Sequence, residues 1–143
     1  MQQPILPFLN GIEKCTSDKK ADQLISIGNL IRTNQYKDEQ ITILVQQLID
    51  MLPNEDELVI RELIFRNISL IYSKKTDLHS VKLTHILNIL DESGPFFICN
   101  TLTLLSQTNN KKYFPVISRY VYYTDENVRE VAIRALTFLQ HCA

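Results

Sequence analysis

The sequence predicts an all-α chain built as about four antiparallel helix pairs, and three observations carry that expectation. Apolar residues recur at helical spacing nearly from end to end. Only 3 Gly and 5 Pro occur in 143 residues, too few for a many-stranded fold with its frequent tight turns. Finally, DENVREVAIRAL at 125–136 repeats ELVIRELIFRNI at 57–68. Side by side, Arg61 falls on Arg129, Glu62 on Glu130, Arg66 on Arg134 and Ile68 on Leu136.

The first unit is the most degenerate: PILPFLNGIEKC is followed by ADQLISIGNLIRT, a helix weakened by Gly28. In EQITILVQQLIDML the residues Ile41, Leu44, Val45, Leu48, Ile49 and Leu52 keep the i, i+3, i+4 spacing of one buried face. PNED breaks it, with Pro53 as the stop and Asn54 or Asp56 as the next cap. A helix from about Glu57 to Tyr72 turns Ile60, Leu63, Ile64, Ile68 and Ile71 inward. SKKTDLHS reads as a polar connector, and VKLTHILNIL as another stripe through Val81, Leu83, Ile86, Leu87 and Leu90. DESGP punctuates before FFICNTLTLLS and the polar QTNNKK. YFPVISRYVYY is a shorter stretch, and TDEN precedes the final helix VREVAIRALTFLQ.

Arg61 and Arg129 stand 68 residues apart, twice 34, and midway between them lies PFFICNTLTLL. At an offset of 34, Asp91 falls on Asp125, Glu92 on Glu126, Phe97 on Val131, Leu102 on Leu136 and Leu105 on Leu139. Units at 4–35, 38–73, 79–108 and 112–141 follow, within a single domain 1–143.

An acid in the inter-helix turn, then Val-Arg, then alanine and leucine at helical spacing resembles the second helix of a HEAT repeat. Asp125, Val128, Arg129, Ala132, Ala135 and Leu136 match that pattern, and Glu57, Ile60, Arg61, Ile64 and Ile68 match it more loosely. The third unit departs from it, with Gly94 and Pro95 where Val and Arg belong. The resemblance implies a right-handed superhelix, an α-solenoid, whose second helices line a concave face. It also implies that turn acid and helix arginine are architectural: Asp125 caps its helix, and Arg129 reaches Asp125 or Asp91.

Function is then expected from the residues between those fixed positions. At 100° per residue, Val128, Val131, Ala132, Ala135, Leu136 and Leu139 share one face of the last helix; Glu130, Arg134, Thr137 and His141 project opposite. The repeat offset extends these into columns: Glu62, Phe96, Glu130; Arg66, Asn100, Arg134; and Ser69, Thr103, Thr137. Mixed charge, one exposed Phe and hydroxyls suit protein recognition. Tyr113, Tyr120, Tyr122 and Tyr123 cannot all face one core, and tyrosine beside Arg119 has the composition of an interface hot spot. Tyr120 and Tyr123 therefore join Glu62, Arg66, Phe96, Asn100, Glu130 and Arg134 as the expected partner-binding residues.

Other classes find little support. A net charge of -1 argues against strong nucleic-acid binding. No apolar run is long enough to span a membrane, and the N-terminus does not resemble a signal peptide, so a cytoplasmic setting is expected. Cys15, Cys99 and Cys142 form no CxxC and suggest neither a disulfide framework nor zinc. No GxSxG, HExxH, P-loop or dinucleotide turn occurs, and neither catalytic residues, cofactor nor metal is expected. His79 and His85 are six apart, off a common helix face.

The expected function is a non-catalytic protein-binding module with one protein partner. The chain resembles the small helical-repeat immunity proteins that bacteria carry against secreted toxins, which implies direct neutralisation of a toxin domain. The acids Glu55, Asp56, Glu57, Glu62, Asp91, Glu92, Asp125, Glu126 and Glu130 offer an acidic face to a basic toxin. The alternatives are a scaffold subunit of a larger complex, and a nucleic-acid role that requires a basic concave face.

Overall fold

The computed structural model describes Ile12, residues 15–74 and residues 78–141. Every regular element among the described residues is helical, with no strand. The α-helices are α1 (Ser17–Arg32), α2 (Asp38–Met51), α3 (Leu58–Lys74), α4 (Thr84–Ile89), α5 (Pro95–Gln107), α6 (Phe114–Ser118) and α7 (Glu126–Gln140). Short 3-10 turns occupy Leu52–Asn54, Leu90–Glu92 and Lys111–Tyr113. The chain divides into two compact units between Ile86 and Leu87. The helix expected in PILPFLNGIEKC lies largely outside the described residues, as does Cys142.

In the first unit α3 packs against both α1 and α2. Thr16 caps α1, accepting from the Lys19 amide at 3.4 Å, and Asp18 in the first turn suits the helix dipole. The helix ends in a Schellman arrangement: Gln35 N–H donates to Leu30 O at 2.9 Å and Asn34 N–H to Ile31 O at 3.1 Å. Asn34 takes φ 58 to make that turn, and the Lys74 ammonium donates to Arg32 O at 3.1 Å and Asn34 Oδ1 at 3.0 Å. At the start of α2, Gln40 reaches back to the Lys37 amide at 3.1 Å. Ile41, Leu44, Val45, Leu48, Ile49 and Leu52 are all buried, as their spacing predicts. Each contributes roughly 1.5–3 kcal/mol of apolar burial.

Where α1 meets α3, buried Asn67 donates its side-chain amide to Leu24 O at 2.9 Å. A Cβ at Gly28 would stand 2.8 Å from Asn67 Oδ1, so the residue that weakens the helix locally is what lets the two helices approach. In α3, Ile60, Ile64, Ile68 and Ile71 are buried as expected, Leu63 only half so, and Phe65 and Tyr72 join them.

Two local expectations are corrected. The turn before α3 is held by Glu55, not by Asn54 or Asp56, and Glu57 takes the cap position: Glu55 Oε2 accepts from the Glu57 amide at 3.1 Å and its Oε1 binds Lys20 Nζ at 2.9 Å. VKLTHILNIL is not one long helix, because Gln46 takes both backbone groups of Lys82, accepting from N–H at 2.7 Å and donating to C=O at 2.9 Å. That pairing keeps Lys82 out of a helical ladder, so Val81 and Leu83 are buried in non-helical chain and α4 starts at Thr84.

In the second unit α5 packs on α7, and α6 on α7. Phe97, Ile98, Leu102, Leu105, Ile117, Val128, Ala132 and Leu139 are buried to 1% exposure or less. Asp125 caps α7 through Val128 N–H at 3.1 Å, as expected, whereas Gly94 occupies the N-cap of α5. The caps Glu57, Gly94 and Asp125 are thus 37 and then 31 residues apart, so 34 is an average spacing and not a register. Aligned by caps, Phe97 matches Val128, Thr101 matches Ala132 and Leu104 matches Ala135, and all six are buried.

Candidate functional site

The repeated Glu-x-x-x-Arg pattern produces the same local contact twice. On α3, Arg66 Nη2 meets Glu62 Oε1 at 3.1 Å; on α7, Arg134 Nη2 stands 3.9 Å from Glu130 Oε2. All four side chains are more than half exposed, so each pair is worth only about 0.3–0.5 kcal/mol.

The other expected residues are placed differently. Phe96 is half-buried, not exposed, and half-buried Asn100 donates its amide to Phe96 O at 2.9 Å within its own helix. Tyr120 is 2% exposed and presents no surface to a partner. Its hydroxyl donates to Asp91 Oδ1, and burial first, then the Asp91 hydrogen bond and charge, push that hydroxyl far above its usual pKa. Tyr123 is half-buried, with its ring centroid 5.5 Å from that of Tyr120. The exposed aromatic here is Tyr122, at 92%. Arg129 departs from its expected carboxylate partners and donates to the carbonyls of Tyr123 at 2.8 Å and Thr124 at 3.1 Å. Asp91 is instead shared between Tyr120 and Arg119, the latter at 3.4 Å.

The cap spacing also shifts the columns of the second unit. Thr103, not Asn100, is the match of Arg134, and the two line one groove. The groove holds about 250 Å³ and is lined by Thr103 and Ser106 of α5 with Val131, Arg134, Ala135 and Phe138 of α7. Thr103 Oγ1 donates to Cys99 O at 3.0 Å and Ser106 Oγ to Thr103 O at 2.7 Å, so both hydroxyl protons are used inside α5. Phe138 is 52% exposed and Ile133, also on α7, 55%. Both fall outside the Val128-to-Leu139 stripe, but only Phe138 lines the groove, and a large aromatic off the stripe is its one signal in the sequence.

The remaining polar clusters act locally. Asp50 Oδ1 accepts from Gln46 Nε2 at 3.1 Å and lies 3.0 Å from His85 Nδ1, tying α4 to α2 beside a cleft of about 440 Å³. Burial, then the charge of Asp125, push the Cys99 thiol up, which keeps it protonated and a poor nucleophile. Among the described residues no three His, Cys, Asp or Glu side chains converge on a metal-sized site, and no helix is long and apolar enough to cross a membrane. Within the expected acidic face, Glu55 pairs with Lys20, Glu62 with Arg66 and Asp91 with Arg119, while Asp125 caps α7.

Comparisons with protein-family models, with curated proteins and with solved structures returned no match, so the site is read from its own chemistry.

Proposed function

We propose that this chain is a non-catalytic protein-binding module that engages one partner through the α5–α7 face of its second unit. The observation that carries this reading is the groove, which a half-exposed Phe138 and Arg134 both line. An aromatic and an arginine at one mostly apolar depression are the residue types that dominate interface energetics. At about 250 Å³ the groove falls below the ~300–1,000 Å³ of small-molecule pockets.

The finer reading is a HEAT-like superhelix acting as an inhibitor of the immunity type, blocking a toxin domain by direct binding. The packing of α1 on α3, α5 on α7, and the hairpins α2–α3 and α6–α7 support the repeat architecture. A second reading, a scaffold subunit, is favoured by Leu58 and Val59 at the start of α3. They are 57% and 64% exposed and offer a separate apolar surface.

The test uses the product of the adjacent open reading frame. Expressed alone it should arrest growth, and co-expression with this chain should restore growth through a co-purifying complex. Charge reversal at Glu130 and Arg134 should abolish that complex with helical circular dichroism unchanged. A product that forms a stable complex without arresting growth favours the scaffold; a complex indifferent to the reversals removes this face as the site.

A further inference from the structure

We propose that the α5–α7 groove receives an amphipathic α-helix of the partner, with an apolar residue seated over Ala135 and a carboxylate one turn away on Arg134. This rests on the protein-binding reading and specifies the partner's chemistry.

The helical form follows from what the groove lacks. Val131, Ala135 and Phe138 supply apolar wall, and the Thr103 and Ser106 hydroxyls have already donated to carbonyls of α5. The walls are α-helices, whose backbone amides and carbonyls bond along their own axes. An extended segment laid here finds no strand edge among the described residues and leaves its own backbone groups desolvated and unpaired. A helix satisfies its backbone internally and presents only side chains, at the i, i+3, i+4 spacing that fits a groove between two helices.

The acid follows from charge. Among the described residues Arg134 is the one titratable residue lining the groove, and no carboxylate lines it. Its intrahelical partner Glu130 stands at 3.9 Å, while the corresponding pair on α3 closes to 3.1 Å. The Arg134 side chain is 77% exposed, so the guanidinium can turn to an incoming carboxylate for a small loss. Its planar fork then gives a bidentate contact, strengthened as the neighbouring apolar surface is covered. A basic helix brought to the same place meets a like charge at the rim.

The experiment is selection from a phage-displayed library of helical peptides, randomised on one face, against the full chain. Enriched peptides should carry Asp or Glu one turn from a Leu, Phe or Met. Synthesised singly, they should lose at least tenfold in affinity on Arg134→Glu and on Phe138→Ala. Exchange of the peptide acid for lysine should recover binding to the Arg134→Glu protein. Both positions are exposed, and circular dichroism verifies that the variants fold. The proposal is overturned by failure to enrich any peptide, by enrichment without an acid, or by binding indifferent to Arg134→Glu. Selection of acidic helices without a complex from the adjacent reading frame sustains the groove and removes the immunity reading. A complex that survives Arg134→Glu and Phe138→Ala does the reverse.

Discussion

Thr101 sits in α5 at 0% exposure, and its Oγ1 has no hydrogen-bond partner, although a helical threonine ordinarily bonds the carbonyl one turn back. A buried hydroxyl without a partner costs roughly 1–3 kcal/mol of desolvation, which an isosteric methyl does not incur. Thr101→Val should therefore raise stability by about 1 kcal/mol, read as a higher urea midpoint with unchanged m-value. Glu55 is the opposite case, a buried acid whose partners are complete. Burial alone raises its pKa, but the hydrogen bond and charge of Lys20 and the amides of Glu57 and Asp56 outweigh it and hold the carboxyl below its ordinary value. A depressed folded pKa gives stability that is full above the unfolded glutamate value of about 4.3 and lost as pH falls through the folded value. Urea melts across that acid range should show wild-type stability declining as pH falls, and Glu55→Gln should remove this component and flatten the limb. A variant with the same acid slope as wild type would show that the Lys20 pair is not linked to folding.

At the scale of elements, the approach of α1 to α3 turns on two residues. Alanine is intrinsically better than glycine in a helix by about 1 kcal/mol, yet a Cβ at Gly28 meets Asn67 Oδ1 at 2.8 Å. Asn67 cannot swing aside cheaply, because its amide is committed to Leu24 O and its side chain is buried. Gly28→Ala should thus destabilise the protein by about 1–2 kcal/mol, whereas the same change in an Asn67→Ala background should be neutral or stabilising. That reversal of sign, measured in a double-mutant cycle, isolates the contact from helix propensity. The sequence showed Gly28 only as a weak point, because its counterpart Asn67 lies 39 positions away on another helix. The apolar stripes of α2, α3 and α7 were legible because a 3.6-residue period is a local property. The short α4 was not, since its late start depends on Gln46 holding the backbone of Lys82. Nor was the cap spacing, because loops of different length average to 34 without marking any one helix start. In the candidate site the Glu–Arg pairs were legible for the same local reason. The groove exists only where α5 meets α7, so the sequence does not single out Phe138, and Tyr120, expected at the surface, is buried.

At the scale of the whole molecule, the disposition of charge leads to a prediction about nucleic acids. A net charge of -1 and a pI near 6.3 leave no bulk attraction for phosphate backbones. The cations whose partners are resolved are each engaged within the fold. Lys20 is held by Glu55, Arg66 by Glu62 and Arg119 by Asp91, while Arg134 has Glu130 beside it. Lys74 and Arg129 are occupied by backbone carbonyls at helix and turn ends, where they complete the fold. Binding a polyanion draws its affinity from several cations that neutralise phosphates and release counterions together. Here each such cation must first leave an acid or a carbonyl, and the acids left behind repel the same strand. Fluorescence anisotropy with a labelled duplex and a labelled single strand, at low salt, should therefore show no binding up to about 10 μM protein, within the range where non-specific binders already associate at physiological salt. A rise in anisotropy that disappears on adding salt would place a nucleic acid, and not a protein, on this chain.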